Sequence, residues 1–323
     1  MPLSSQATPD LIMTQPTNQS PQRQPATGVR PALDPSFVEC MSGLLSLFPN
    51  DMDVQLSEVE IEGLDNNNIT LAIFRAKNTL KKDHPVLYFT HPGGQIAGDR
   101  FTSLHSIIEA FQGIETVFVS VEYRLAPEHP APAALNDAYA GLNWVIDHTK
   151  GLGIDATKII LGGVSGGGAI AAGCAMLYNK KRSNPPLLGV LLSTPMLDDR
   201  DCTVSSRQFV KQTLWSGDFN RMAWGHVLGD QRGGPDVSEF VAPARAENLT
   251  GFPPTFIDAG SCEVFRDEAV AFALQLWKDG MTAELHIWPG GFHGFDELIP
   301  EAPVSQAAKA AKALWVKRLI QGR

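Results

Sequence analysis

The sequence predicts an α/β fold, a mostly parallel sheet flanked by helices, and three observations predict it. Strand-like apolar runs recur near 85–90, 116–122, 158–163, 187–193, 254–259 and 283–288, with helical patterns between most of them. That alternation builds parallel sheets. The run Ile160-Leu161-Gly162-Gly163-Val164 leads straight into Ser165-Gly166-Gly167-Gly168, a G-x-S-x-G turn between a strand and a helix. A chain of 323 residues is long enough for one large α/β unit carrying an inserted or appended segment.

The elements follow in order. Residues 1–35 are rich in Pro, Gln, Ser and Thr, have too few apolar side chains to form a core, and are expected to be disordered or draped over the cap described below. The start lacks a charged n-region and an apolar h-region, so a secretory signal is not expected and a cytoplasmic location is the default. Phe37 to Phe48 has helical apolar spacing, which makes 36–53 an N-terminal cap helix. Val54 to Ala76 reads as two antiparallel strands around Asp65-Asn66-Asn67-Asn68. Residues 54–200 and 252–323 then form the catalytic α/β domain. The interval 201–251 breaks the alternation and contains Phe209, Leu214, Trp215, Phe219, Met222, Trp224 and Val227. It is too apolar for a solvated loop and is expected to form a cap that excludes water and shapes a pocket.

The Ser165 turn is the richest chemical signal. A serine forced into a tight strand-to-helix turn lifts its hydroxyl above the sheet, and its strained backbone leaves room only for glycine at Gly163 and Gly167. The helix over Ala169 to Tyr178 would point its N-terminus at that serine and favour negative charge there. A membrane helix is the rival reading, since no charge appears from Ile159 to Tyr178. Five glycines between 162 and 168 oppose it, each costing a helix roughly 1 kcal/mol relative to alanine.

Three further segments supply partners. His293 lies in Gly291-Phe292-His293-Gly294, the loop after the strand ending at Trp288, where it can take and return a proton. His286 sits within that strand and is read as structural. For an acid, the strand Thr255 to Gly260 opens into Ser261-Cys262-Glu263-Val264-Phe265-Arg266-Asp267-Glu268. Asp267 and Glu268 begin a helix with apolar positions at Val270, Phe272, Ala273, Leu276 and Trp277, and favour its N-terminal dipole. Asp258 and Glu263 remain, and Glu263 is chosen because a loop carboxylate can reach a histidine's second nitrogen. The loop His91-Pro92-Gly93-Gly94 follows another strand, and the N–H groups of Gly93 and Gly94, with that of Gly166, would make a three-donor oxyanion hole.

Taken together, His91-Pro92-Gly93-Gly94, Tyr123-Arg124-Leu125-Ala126-Pro127-Glu128-His129-Pro130, Gly163-Val164-Ser165-Gly166-Gly167, Glu263-Val264-Phe265-Arg266-Asp267-Glu268 and Phe292-His293-Gly294-Phe295 resemble the hormone-sensitive lipase family of esterases. The order serine, acid, histidine is that of α/β-hydrolases. The resemblance implies an α/β-hydrolase fold, a helical cap, no cofactor and no metal. It also implies a triad of Ser165, Glu263 and His293, oxyanion donors at Gly93, Gly94 and Gly166, and a small-molecule ester of small to medium acyl length as substrate. Lactones, amides and specialised metabolites are equivalent at such a triad. The family also contains receptors with incomplete catalytic machinery, against which His293 argues, and dehydratases, against which a serine at 165 argues. Three positions depart from the family pattern. Pro92 stands for a glycine, Val164 for an aspartate, and Glu263 for the commoner aspartate.

Composition sets the outer bounds. A formal charge of −9, from 26 basic and 35 acidic residues, supplies no basic stripe and argues against nucleic acid as a partner. Cys40, Cys174, Cys202 and Cys262 have neither metal spacing nor the look of a disulfide framework, and are expected as free thiols. No membrane span is expected, and a homodimer is left open.

Overall fold

The computed structural model describes residues 54–76, 83–211 and 213–322. The expectations for 1–35, for the cap helix at 36–53 and for Cys40 lie outside them. Eight strands form one sheet: β1 (Val54–Glu62), β2 (Asn68–Ala76), β3 (His84–Thr90), β4 (Val117–Glu122), β5 (Ile154–Val164), β6 (Gly189–Ser193), β7 (Thr255–Gly260) and β8 (Ala283–Trp288). Their order is β1-β2-β4-β3-β5-β6-β7-β8. β2 runs antiparallel to β1 and β4, and every pair from β4 across to β8 is parallel. Each expected strand is present within a few residues. The largest difference is at β5, which begins at Ile154 because that residue pairs with His84 before the register shifts.

Helices cover the sheet: α1 (Leu104–Ile108), α2 (Ala133–Asp147), α3 (Thr149–Leu152), α4 (Gly166–Lys181), α5 (Val204–Gln208), α6 (Gly217–Leu228), α7 (Arg266–Lys278), α8 (Phe295–Leu298) and α9 (Pro303–Gln321). Every residue of β3 and β7 is buried, as parallel strands covered on both faces should be. The uncharged segment 159–178 divides into strand, turn and helix at Ser165, and no helix of the described residues is long and apolar enough to cross a membrane. α4 is buried from Gly166 to Tyr178, so its apolar composition reflects a central position and not a lipid one.

The interval 201–251 is folded. Thr203 and Ser216 cap α5 and α6 by accepting the N–H groups of Ser206 and Phe219. Trp224, Val227, Phe240 and Leu249 are buried. The fully buried Asp199 accepts from Arg245 Nε at 2.6 Å and from the Gly233 N–H at 2.6 Å, tying the later half of the interval to the end of β6's loop. The Phe240 carbonyl lies against Gly173 of α4, where a Cβ would collide with it.

A second buried carboxylate orders the segment after β4. Asp137 on α2 is fully buried and accepts from Arg124 through its N–H at 2.9 Å, Nε at 2.8 Å and Nη2 at 2.8 Å. Asn67 Nδ2 adds a fourth bond at 3.0 Å from the β1–β2 turn. Removing one member of such a pair strands a buried charge, at a cost of about 3–5 kcal/mol. We therefore expect Arg124→Met to lose roughly that much stability in urea unfolding, and Arg124→Met/Asp137→Asn to recover part of it, since the uncharged amide oxygen can still accept the residue-124 N–H. Equal stability of the single and double variants would show that the ion pair does not organise this segment.

Candidate active site

All four loops named from the sequence leave the carboxyl edge of the sheet, where open α/β sheets gather their ligands. Gly93 and Gly94 follow β3, Ser165 follows β5, Glu263 follows β7 and His293 follows β8. Parallel strands β3, β5, β6, β7 and β8 are neighbours, so residues up to 200 positions apart in the chain meet along one rim.

Ser165 is 2% exposed and sits at φ 52°, ψ −120°, a region that a residue with a side chain enters only under constraint. Its carbonyl accepts the Met196 N–H at 3.0 Å and its own N–H donates to the Ser193 carbonyl at 3.0 Å, so β6 holds the turn from one side. β3 holds it from the other. Thr90 Oγ1 donates to the Gly167 carbonyl at 2.7 Å, and a Cβ on Gly167 would collide with the Thr90 and His91 carbonyls. A Cβ on Gly163 would run into the Gly167 carbonyl. The glycines flanking Ser165 are therefore demanded by backbone packing.

Three side chains converge on this turn. Ser165 Oγ lies 3.1 Å from His293 Nε2, and His293 Nδ1 lies 2.6 Å from Glu263 Oε2. A carboxylate only accepts, so Nδ1 carries the proton and the Nε2 lone pair faces the serine hydroxyl. Glu263 is fully buried, and its other oxygen accepts the Gly260 N–H at 2.8 Å. Phe265 packs edge-on to the His293 ring at 5.2 Å between centroids. Asp258, the competing acid, makes no hydrogen bond to His293, whose two ring nitrogens face Glu263 and Ser165. Its carboxylate accepts from Ser193 Oγ at 2.9 Å and Trp288 Nε1 at 3.0 Å, and faces Lys312 at 3.1 Å.

Gly94 lies against Gly166: a Cβ on Gly166 would stand 2.7 Å from Gly94 N and Cα and from Gln95 N. Gly93 and Gly94 both have positive φ, 113° and 60°, and the Gly93 carbonyl takes the Ile96 and Ala97 N–H groups in a tight turn. The first N–H groups of α4, Gly166 included, have no partner within the helix. An oxygen placed above Ser165 would meet this concentration of backbone donors at the positive end of a helix.

The motif positions have physical roles in the loop. His91 is fully buried, stacks on Tyr123 at 4.0 Å, and donates Nδ1–H to the Pro92 carbonyl at 2.7 Å. Tyr123 donates its hydroxyl to the His91 carbonyl at 2.7 Å, and the Ala126 N–H reaches the Gln95 carbonyl at 2.9 Å. The segment after β4 thus braces the glycine turn. Pro92 contributes only its carbonyl to these contacts, and Val164 packs against the apolar core under the sheet.

Other expectations are met or extended. His286 is half-buried, stacked between Phe256 and Trp288 and bonded to Glu284, away from Ser165. Cys174, Cys202 and Cys262 are free thiols. Asp267 and Glu268 occupy the first turn of α7, but Glu268 is buried and accepts the Leu197 N–H at 2.6 Å. Burial pushes its carboxyl well above the ordinary range. Trp215 belongs to the apolar interval expected to shape a pocket, and it lies at the site. Its Cη2 and Cζ2 cover Gly94, and its ring centre lies 6.2 Å from that of His293.

Residues 86–297 match a protein family described by its α/β-hydrolase fold. The chain belongs to that family. Within it, the order of the motifs is that of the hormone-sensitive lipase type. It is similar to the esterase LipI of Mycobacterium tuberculosis, 31% identical over 231 residues and 68% of each chain. It is also similar to the carboxylesterase NlhH of the same species, 30% identical over 254 residues, 73% of this chain and 74% of that one. Among solved structures, a bacterial heroin esterase superposes with a TM-score of 0.79 at 33% identity, covering 90% of this chain and 98% of that one. In sequence and fold the chain is a carboxylesterase-like α/β-hydrolase.

Burial lowers the pKa of His91 from 6.5 to about 4, the Pro92 carbonyl only partly offsetting it. The folded protein therefore holds this imidazole neutral, while the unfolded chain protonates it below about pH 6.5. Stability from this group is fully present above pH 6.5 and falls as pH drops towards 4, by about 3 kcal/mol in all. Replacing it by an aromatic ring that does not titrate should flatten that fall. Measured by urea unfolding at pH 7.0 and 4.5, His91→Phe is expected to lose less stability on acidification than the parent. Parallel losses would mean that His91 titrates normally.

Proposed function

We propose that this protein is a serine hydrolase that cleaves carboxylic esters through an acyl-enzyme. The observation that carries the reading is the hydrogen-bonded series Ser165 Oγ, His293, Glu263, at 3.1 and 2.6 Å, on loops from β5, β8 and β7. Ser165 Oγ attacks the ester carbonyl while His293 Nε2 takes its proton, and Glu263 holds the imidazole and balances the imidazolium. The carbonyl oxygen becomes an oxyanion facing the N–H groups of Gly93, Gly94 and Gly166. Collapse of that intermediate breaks the bond to the alcohol oxygen, which receives the proton from Nε2. Water then repeats the sequence on the acyl-serine and releases the acid. Protein groups alone carry every step.

The interval 201–251 serves as the cap in this reading, and Trp215 supports it by covering Gly94 and approaching His293. A rigid indole at that position favours acyl groups of small to medium size. Its backing is firm: Thr213 Oγ1 donates to the Trp215 carbonyl at 2.8 Å, and Ser216 caps the helix that follows.

A fluorophosphonate is expected to label Ser165, and Ser165→Ala to abolish labelling and ester turnover together. Glu263→Gln should lower kcat by roughly 10³ to 10⁴, the loss seen when a triad histidine is left in the wrong tautomer. Asp258→Asn should cost far less, because its amide oxygen still accepts from Trp288 Nε1 and its NH2 can donate to Ser193 Oγ. An adduct mapped by mass spectrometry to another residue would exclude the mechanism. Loss of activity in the Asp258 variant alone, at unchanged thermal stability, would move the acid to Asp258.

Trp215→Ala should raise kcat/KM for hexanoate relative to acetate esters by at least about tenfold, the factor that a single further methylene admitted to an apolar site is worth. An unchanged ratio would remove Trp215 from the acyl-binding wall.

A further inference from the structure

One buried cation has no part in the mechanism above. Lys312 of α9 is 2% exposed, and lies on the helix stripe that otherwise buries Ala308, Trp315 and Val316. Its Nζ donates to Asp296 Oδ2 at 2.6 Å and stands 3.1 Å from Asp258 Oδ2. Burial would lower its pKa, but the two facing carboxylates outweigh that effect and hold it above the ordinary lysine value. The two carboxylates therefore favour the charged ammonium.

The places of the two carboxylates give this contact its meaning. Asp296 lies in α8, three residues after His293, and closes the loop that carries the imidazole. Asp258 lies near the end of β7, two residues before Gly260, whose N–H holds Glu263 Oε1. Asp258 also binds Ser193 of β6 and Trp288 of β8. One ammonium thus joins the base-bearing loop to the strand that launches the acid-bearing loop.

We infer that Lys312 is a positioning residue for the His293–Glu263 pair, acting through Asp296 and Asp258. The inference rests on the proposed serine mechanism. A purely structural ion pair would stabilise the fold without regard to which loops it joined. Here the joined loops are the two whose separation sets the 2.6 Å contact between Nδ1 and Oε2. A misplacement of about 1 Å in a catalytic pair can cost 10² in rate.

The test uses the full chain with p-nitrophenyl acetate as substrate. Lys312→Met is expected to lower kcat by about 10- to 100-fold with KM within about twofold. That variant leaves two buried carboxylates facing each other and can fail to fold, so Asp296→Ala is the second arm. It keeps Lys312 paired with Asp258 and loses only the tie to the His293 loop. It should show the same drop in kcat, a parallel drop in the fluorophosphonate inactivation rate, and loss of the far-downfield proton resonance of His293 Nδ1–H. Asp296→Asn, whose amide oxygen still accepts from Nζ, should recover most of both. Lower thermal stability in Asp296→Ala with kcat and the proton resonance unchanged would overturn the inference. A rate lost only through KM would overturn it equally. Failure of the parent enzyme to be labelled at Ser165 would instead strike the serine mechanism itself.

Discussion

The site depends on a close approach of backbone to backbone. The turn from β5 into α4 is wedged between the end of β3 and the end of β6, so tightly that Gly163, Gly166 and Gly167 have no room for a Cβ. That crowding has two effects. It forces Ser165 into a positive φ and so lifts its hydroxyl towards His293, and it brings the Gly94 backbone against that of Gly166. Strain at Ser165, of the order of 1–3 kcal/mol for such a residue, is held in place by bonds from Thr90, Ser193 and Met196. The proposed nucleophile and the proposed oxyanion donors therefore share one cause, and a side chain on any of these glycines would disturb both.

Electrostatics divide the rim into two halves. On the side of β3 the donors are peptide groups and a helix end, with His91 neutral beneath them, so positive potential is supplied without a mobile cation. On the side of β7 and β8 the groups are ionisable side chains: Glu263 against His293, and behind them Asp258, Asp296 and Lys312. In the proposed reaction negative charge develops on the first side and positive charge on the imidazole of the second. Each half meets the charge it would have to stabilise.

What the sequence made legible follows from what short motifs can record. Strands announced themselves as apolar runs, and the elbow as glycines around a serine, because steric exclusion acts on neighbours in the chain. Glu263 was separable from Asp258 by topology, since only the loop residue leaves the strand early enough to meet His293. The order of β3 and β4 in the sheet was not legible, because both are apolar runs of similar length and pairing is a contact between distant segments. For the same reason Trp215 was legible as part of an apolar, pocket-shaping interval but not as the neighbour of Gly94 and His293, and Lys312 was missed. Lys312 did leave a trace: it is a charge four residues from Ala308 and four from Val316, on a stripe the helix buries. A cation at such a position must find anions inside, and the candidates were Asp258 and Asp296.

The departures from the family pattern can be weighed on the same physical terms. Pro92 is tolerated because its carbonyl, and not an N–H, enters the loop's hydrogen bonds, and a fixed φ suits a turn whose next two residues are left-handed. Val164 faces the core, where an aspartate would need a partner of its own. Glu263 uses both carboxylate oxygens, one on Gly260 and one on His293, so its additional methylene ends in a side chain fixed at two points. A carboxylate anchored in this way is oriented before substrate arrives, and in the proposed mechanism that preorganisation lets it balance the imidazolium without first being reordered.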